Sequence, residues 1–201
     1  MKTLREKVSD KSAHVAVIGL GYVGLPLAAW LSKAGFLVTG IDLDSNKVAA
    51  LQQGLSYIAD VQGEDIAPLI RENRLQATSD YDVLNSVDAM FICVPTPFNA
   101  MKAPDLYFVE SAAQGIASRL RAGQLVVLQS TTYPGTTEEI VLPILETSGL
   151  KAGRDFFLAF SPERIDPGNL RFTVENTPKV VGGVTPECAE VARALLAHLT
   201  P

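Results

Sequence analysis

Short runs of consecutive apolar residues, many of them β-branched, alternate along this chain with longer stretches whose apolar positions recur at helical spacing. His14–Gly19 (HVAVIG) predicts a parallel strand buried on both faces. Tyr22–Ala34 predicts an apolar helix that stops at Gly35, with Pro26 in its first turn, where a missing N–H costs little. Phe36–Asp42 (FLVTGID) predicts a second strand, after which Asp44 or Ser45 can cap a helix ending near Gln53. Residues 54–64 read as loop, Asp65–Asn73 as helix and Arg74–Thr78 as strand. Val87–Val94 (VDAMFICV) predicts another buried strand, ended by Pro95 and Pro97. Residues 98–104 read as loop, and Asp105 can cap a helix to about Leu120. Gln124–Ser130 (QLVVLQS) is the next strand, Tyr133–Thr137 a turn and Glu138–Thr147 a helix. Asp155–Ser161 and Lys179–Gly183 read as two more strands and Pro186–Leu199 as a last helix. This alternation predicts an α/β fold, a doubly wound and mostly parallel sheet with helices on both faces. It spans residues 14–201, with 1–13 as a polar N-terminal extension.

Composition narrows the class. The chain has 201 residues, 47% hydrophobic and 19% charged, which excludes wholesale disorder. A net charge of −5 argues against nucleic acid or an anionic membrane as partner. Cys93 and Cys188 lie far apart and match no zinc or disulfide framework, and His14 and His198 alone do not suggest a metal site. Residues 1–13 do not resemble a targeting signal, and the longest apolar run, Leu20–Leu31, is interrupted by Gly21, Gly24 and Pro26 and is too short for a bilayer. The expectation is a soluble cytoplasmic protein with Cys93 in its core.

The strongest local signal is Gly19-Leu20-Gly21-Tyr22-Val23-Gly24. It ends a predicted strand and opens a predicted helix, the context that a dinucleotide-binding GxGxxG requires. Gly19 allows the tight turn, Gly21 lets the backbone approach a pyrophosphate, and Gly24 lets helix and strand pack closely. The helix start offers unpaired N–H groups to phosphates. Asp42, ending the second strand, can accept from both hydroxyls of an adenosine ribose and would repel a 2′-phosphate, so NAD is favoured over NADP. Lys47 can cover the adenine side or the ribose edge, or be a solvated helix residue.

Ligands in this fold sit beyond the carboxyl ends of the strands. There the chain places Val94-Pro95-Thr96-Pro97, a stiff wall, and Ser130-Thr131-Thr132-Tyr133-Pro134-Gly135-Thr136-Thr137, a hydroxyl cluster suited to a ribose and ordered water, or an ordinary turn. In Ser161-Pro162-Glu163-Arg164-Ile165-Asp166-Pro167-Gly168-Asn169, Glu163 is a candidate general base and Arg164 a candidate phosphate contact. The same two residues are also consistent with a surface ion pair.

GLGYVGLP at 19–26, VPTP at 94–97, STTYPGTT at 130–137 and SPERIDPGN at 161–169, in this order and spacing, resemble the UDP-glucose/GDP-mannose dehydrogenase family. STTYPGTT combined with PERxDPGN is most similar to its UDP-N-acetylglucosamine 6-dehydrogenase branch, of bacterial surface polysaccharide pathways. The resemblance implies a Rossmann-like fold and a four-electron oxidation of a UDP-sugar C6 alcohol to a carboxylate by two NAD⁺, through a cysteine-bound aldehyde and a thioester. It implies that Gly21, Tyr22 and Val23 meet the pyrophosphate and that Asp42 and Lys47 meet the adenosine ribose. Val94, Pro95, Thr96 and Ser130 would line the rest of the cofactor. Thr131 would hold the catalytic water, Glu163 would be the acid/base group and Arg164 would reach the substrate. UDP-glucose-type enzymes carry a further glutamate where this chain has Pro167.

The family's nucleophilic cysteine sits in a Gly-Gly-x-Cys segment beyond residue 201, and its lysine and asparagine partners come from a central helix after that point. The chain is therefore expected to be the N-terminal NAD-binding part of a longer enzyme that is a homodimer or higher. Alone it should not turn over, and pairing through the central helix is not expected of it. Cys188, near the start of the last helix, has none of the nucleophile's context. A self-contained NAD-binding sensor or regulatory module, a UDP-glucose or UDP-N-acetylmannosamine dehydrogenase, and a dehydrogenase of 3-hydroxyacids or 6-phosphogluconate stand as alternatives.

Overall fold

The computed structural model describes residues 2–98, 104–164 and 177–199. The chain opens on α1 (Leu4–Ser9), closed by a capping box in which the Thr3 hydroxyl accepts from the Glu6 amide at 3.3 Å and the Glu6 carboxylate accepts from the Thr3 amide at 2.7 Å. Leu4 and Val8 are buried, and α1 packs on the last helix, so the stretch read as a polar extension carries an anchored helix. Its length hid it: an amphipathic stripe two residues long has no periodicity to detect.

The strands are β1 (His14–Ile18), β2 (Leu37–Ile41), β3 (Leu75–Thr78), β4 (Ala89–Ile92), β5 (Leu125–Leu128), β6 (Phe157–Phe160) and β7 (Gly182–Gly183). They form one sheet in the order β3-β2-β1-β4-β5-β6-β7, parallel throughout except for the antiparallel β6–β7 edge. The interior strands are buried on both faces, which is why they read as unbroken apolar runs. The helices are α2 (Gly24–Lys33), α3 (Ser45–Gln52), α4 (Gly63–Arg71), α5 (Tyr107–Ala117), α6 (Leu142–Glu146) and α7 (Pro186–Leu196). Side chains of α1, α2, α3, α4 and α7 join one hydrophobic cluster, and those of α5 and α6 the other, so the sheet is covered on both faces.

Boundaries differ from the sequence reading at informative places. The last expected strand, Lys179–Gly183, shrinks to Gly182–Gly183, because it is an edge with one partner. A short 3-10 helix over Tyr81–Asn85, capped by Asp80, was not anticipated. The helix expected at Glu138 starts at Thr137 with a wide turn to Val141 before α6. Asp44, not Ser45, caps α3, accepting from the Asn46 amide at 2.9 Å. Among the described residues no helix is long and apolar enough to cross a membrane.

Candidate functional site

Order β2-β1-β4-β5 brings four strand ends side by side, on either side of the point where the chain's winding reverses. A cleft of about 630 Å³ opens there, the place this architecture reserves for a ligand. Its walls bring together Gly19, Gly21, Tyr22, Val23, Asp42, Lys47, Val94, Pro95, Thr96, Ser130 and Thr131, residues spread over most of the sequence. Gly24 is not on the wall but beneath it.

The three glycines differ in what surrounds them. Gly19 has φ 90°, and a Cβ there would stand 2.7 Å from the Cys93 carbonyl oxygen, so turn and packing both demand glycine. A Cβ on Gly24 would run into the Gly19 carbonyl, as close helix-on-strand packing requires. Around Gly21 a Cβ would meet nothing within 4 Å. The Gly21 position thus abuts open cleft, a cradle that a side chain would fill. Among the described residues the N–H groups of Gly21, Tyr22 and Val23 donate to no protein acceptor, while the Gly21 carbonyl already accepts from Leu25 at 3.1 Å. Unpaired donors at a helix start beside open space fit a pyrophosphate.

Asp42 is set just past β2 by the Gly19-to-Ile41 backbone bond of 2.8 Å. One carboxylate oxygen accepts from the Leu20 amide at 2.8 Å and from Lys47 Nζ at 3.3 Å, and the other accepts from the Asp44 amide at 2.9 Å. Its side chain is 12% exposed, at the cleft rim. An acid held there by the glycine-rich turn itself suits a ribose diol.

At the opposite end, β5 runs into Gln129, Ser130 and Thr131. The Ser130 hydroxyl donates to the Val94 carbonyl at 2.7 Å, tying the strand to the Val94–Pro97 wall, and Thr131 is exposed on the rim. Glu163 is not on the wall. Its carboxylate lies behind Gln129, whose Nε2 donates to it at 2.5 Å, and Lys179 Nζ pairs with it at 3.2 Å. Both charged side chains are almost wholly buried, 4% exposed for Lys179 and 6% for Glu163, so the surface-pair alternative does not hold. Arg164 is exposed, and residues 165–169 of its motif lie outside the described residues. Among the described residues, Gln129 Oε1 and Ser161 Oγ are buried polar atoms without hydrogen-bond partners, at the ends of adjacent strands.

Several wall residues escaped the sequence reading. Tyr57, Ile58, Tyr81, Phe108 and Gln129 come from loops or unremarkable positions. Lys179, which pairs with Glu163 behind the wall, comes from a presumed strand. Burial, with Asp42 and Asp44 nearby, pushes the Tyr57 phenol up, and burial does the same for Tyr81. Cys93 lines the cleft floor yet is only 7% exposed, and burial pushes its thiol up, away from the nucleophilic thiolate. Cys188 is fully buried against the Leu158 amide and Thr185. Among the described residues no cluster of ligating side chains could hold a metal.

Fold and cleft together define a dinucleotide-binding α/β domain. The profile of the UDP-glucose/GDP-mannose dehydrogenase family, NAD binding domain, matches residues 13–200. The chain belongs to that family, as its NAD-binding domain. It is 41% identical over 186 residues, 92% of its length, to the UDP-N-acetyl-D-glucosamine 6-dehydrogenase of Pseudomonas aeruginosa, and 39% identical to that of Salmonella typhi over 88% of its length. It spans less than half of those relatives, 43% and 41% respectively. Among solved structures, the ternary complex of GDP-mannose dehydrogenase from Pseudomonas aeruginosa superposes with a TM-score of 0.87 at 30% identity, over 93% of this chain and 45% of that one. The NDP-N-acetyl-D-galactosaminuronic acid dehydrogenase of Methanosarcina mazei gives a TM-score of 0.89 at 30% identity, over 100% of this chain and 45% of that one.

Proposed function

We propose that this chain holds NAD across the cleft as the cofactor-binding half of a nucleotide-sugar 6-dehydrogenase, acting on a UDP-sugar of the UDP-N-acetylglucosamine type in surface polysaccharide synthesis. The observation that carries the cofactor assignment is the Asp42 carboxylate, held 2.8 Å from the Leu20 amide beside the open Gly21 cradle. The amides of Gly21, Tyr22 and Val23 bind the pyrophosphate, and Asp42 with Lys47 binds the adenosine ribose. Val94, Pro95, Thr96 and Ser130 wall the remainder. Bound NAD supplies the hydride acceptor for an alcohol carbon.

Thr131, on the rim, orients water, and Glu163 is the acid/base group, charge-paired by Lys179 and joined to the cleft wall through Gln129. Arg164, exposed beside it, reaches toward substrate phosphate. A buried ion pair is an expensive way to stabilise a loop, which favours a functional reason for it. The sugar class rests on the motifs and on the names of the relatives, two of which are UDP-N-acetyl-D-glucosamine 6-dehydrogenases. The 201-residue chain binds cofactor without turnover, since Cys93 and Cys188 are both buried.

Calorimetric titration tests the cofactor reading: NAD binds and NADP binds more weakly. No association with NAD at millimolar concentration overturns it. Incubating the longer enzyme with NAD and a panel of UDP-sugars and hydroxyacids tests the rest. NADH formation with UDP-N-acetylglucosamine is expected, and oxidation of hydroxyacids alone refutes it.

A further inference from the structure

Tyr57 lies between α3 and α4, in a stretch without regular structure. Its turn is pinned: the Ser56 hydroxyl accepts from the Ile58 amide at 3.2 Å, and Ile58 is buried beneath it. The phenol reaches across to the glycine-rich turn, where its hydroxyl donates to the Leu20 carbonyl at 2.8 Å. The Leu20 amide, on the other side of that residue, donates to Asp42 at 2.8 Å. The residue between Gly19 and Gly21 is thus gripped at both its N–H and its C=O by side chains from two different loops.

The grip has a directional consequence. The Leu20 carbonyl and the Gly21 N–H belong to one planar trans peptide, in which they point opposite ways. Holding the carbonyl toward Tyr57 therefore turns the Gly21 N–H away from Tyr57, and that N–H is one of the three donors without a protein acceptor. Asp42 orients the preceding peptide in the same manner. Burial and the charges of Asp42 and Asp44 keep the phenol protonated, hence a donor, through the ordinary pH range.

We infer that Tyr57 is a positioning residue for the dinucleotide: its hydroxyl locks the Leu20–Gly21 peptide so that the Gly21 amide is aimed at the pyrophosphate before the ligand arrives. This rests on the NAD reading above. Tyr57 touches the phosphates through the peptide, not directly, so its hydroxyl matters to ligands that carry a diphosphate and not to those that lack one.

The test is Tyr57→Phe in this chain, which keeps the ring and removes only the donor. Calorimetry with NAD and with ADP-ribose is expected to show affinity about tenfold lower than wild type, the order of one lost hydrogen bond. Adenosine, which has the ribose but no phosphate, is expected to bind both proteins equally when titrated by NMR. In the same spectra NAD shifts the Gly21 amide of the wild type strongly and that of the variant much less. Unchanged NAD affinity in the variant overturns the inference. So does an equal loss for adenosine, which would make Tyr57 a direct ribose contact or a structural support. Failure of wild-type protein to bind NAD or ADP-ribose marks a different error, in the cofactor reading itself, and takes the inference with it.

Discussion

Replacing Asp42 by alanine separates the ribose contact proposed for its carboxylate from the support that carboxylate gives the Leu20 amide. Its two oxygens offer about four lone-pair positions, and the chain's own groups occupy three, from Leu20, Asp44 and Lys47. Lys47 makes the longest of these contacts, 3.3 Å, with a side chain 34% exposed, so it is the one that yields to a ligand. A ribose diol then finds two positions. Hydrogen bonds to a charged acceptor contribute about 1.5–3 kcal/mol each. Discounting the lost Lys47 contact leaves about 3 kcal/mol, so Asp42→Ala should weaken NAD about 100-fold.

The same substitution orphans the buried Leu20 amide, which costs about 1–3 kcal/mol. In a domain of this size that lowers Tm by about 2–12 °C. Asp42→Asn keeps one acceptor for Leu20 and should retain most of the stability while losing about tenfold in affinity. Calorimetry with NAD and NADP, with thermal melts followed by circular dichroism, reads both effects. In Asp42→Ala the preference for NAD over NADP should also narrow, since the charge that repels a 2′-phosphate is gone. NAD affinity within twofold of wild type in Asp42→Ala would refute the placement of the ribose.

Gly21→Ala should leave Tm unchanged, because its Cβ meets no protein atom within 4 Å, yet weaken NAD by calorimetry. Gly24→Ala drives a methyl into the Gly19 carbonyl and should cost about 3 kcal/mol or more in denaturant unfolding. Lys179→Met removes the ammonium that lies 3.2 Å from the buried Glu163 carboxylate and should cost about 3 kcal/mol. Adding Glu163→Gln to it should recover most of that loss in the same denaturant assay. Burial lowers the His14 imidazole, partly offset by Asp88. The native state therefore resists a proton that the unfolded chain accepts, and stability present above about pH 6.5 is lost as pH falls below it. Melts of His14→Gln between about pH 7 and about pH 5 should show a shallower decline than wild type.

Much of this architecture is written locally. The apolar runs of β1, β4 and β5 announce strands buried on both faces, and Gly19, Gly21 and Gly24 announce a tight turn from strand to helix, because each requirement is met within a few consecutive residues. The place of Asp42 was legible for the same reason: it follows β2 directly, which sets it at the cleft rim. Helix α1 was not, since its Leu4 and Val8 gain meaning only by packing against α7, at the other end of the chain. Tyr57 and Gln129 gave no signal either. One sits in a loop and the other ends a strand, and what matters about each is a partner distant in sequence, the Leu20 carbonyl and the Glu163 carboxylate. Glu163 shows both sides: its residue type and motif marked it as a candidate acid or base, but only folding decided that it would be buried, paired with Lys179 and set one side chain back from the cleft. Backbone preferences and glycine geometry act between near neighbours and are visible in sequence, whereas side-chain hydrogen bonds across the sheet's end exist only once the strands are ordered side by side.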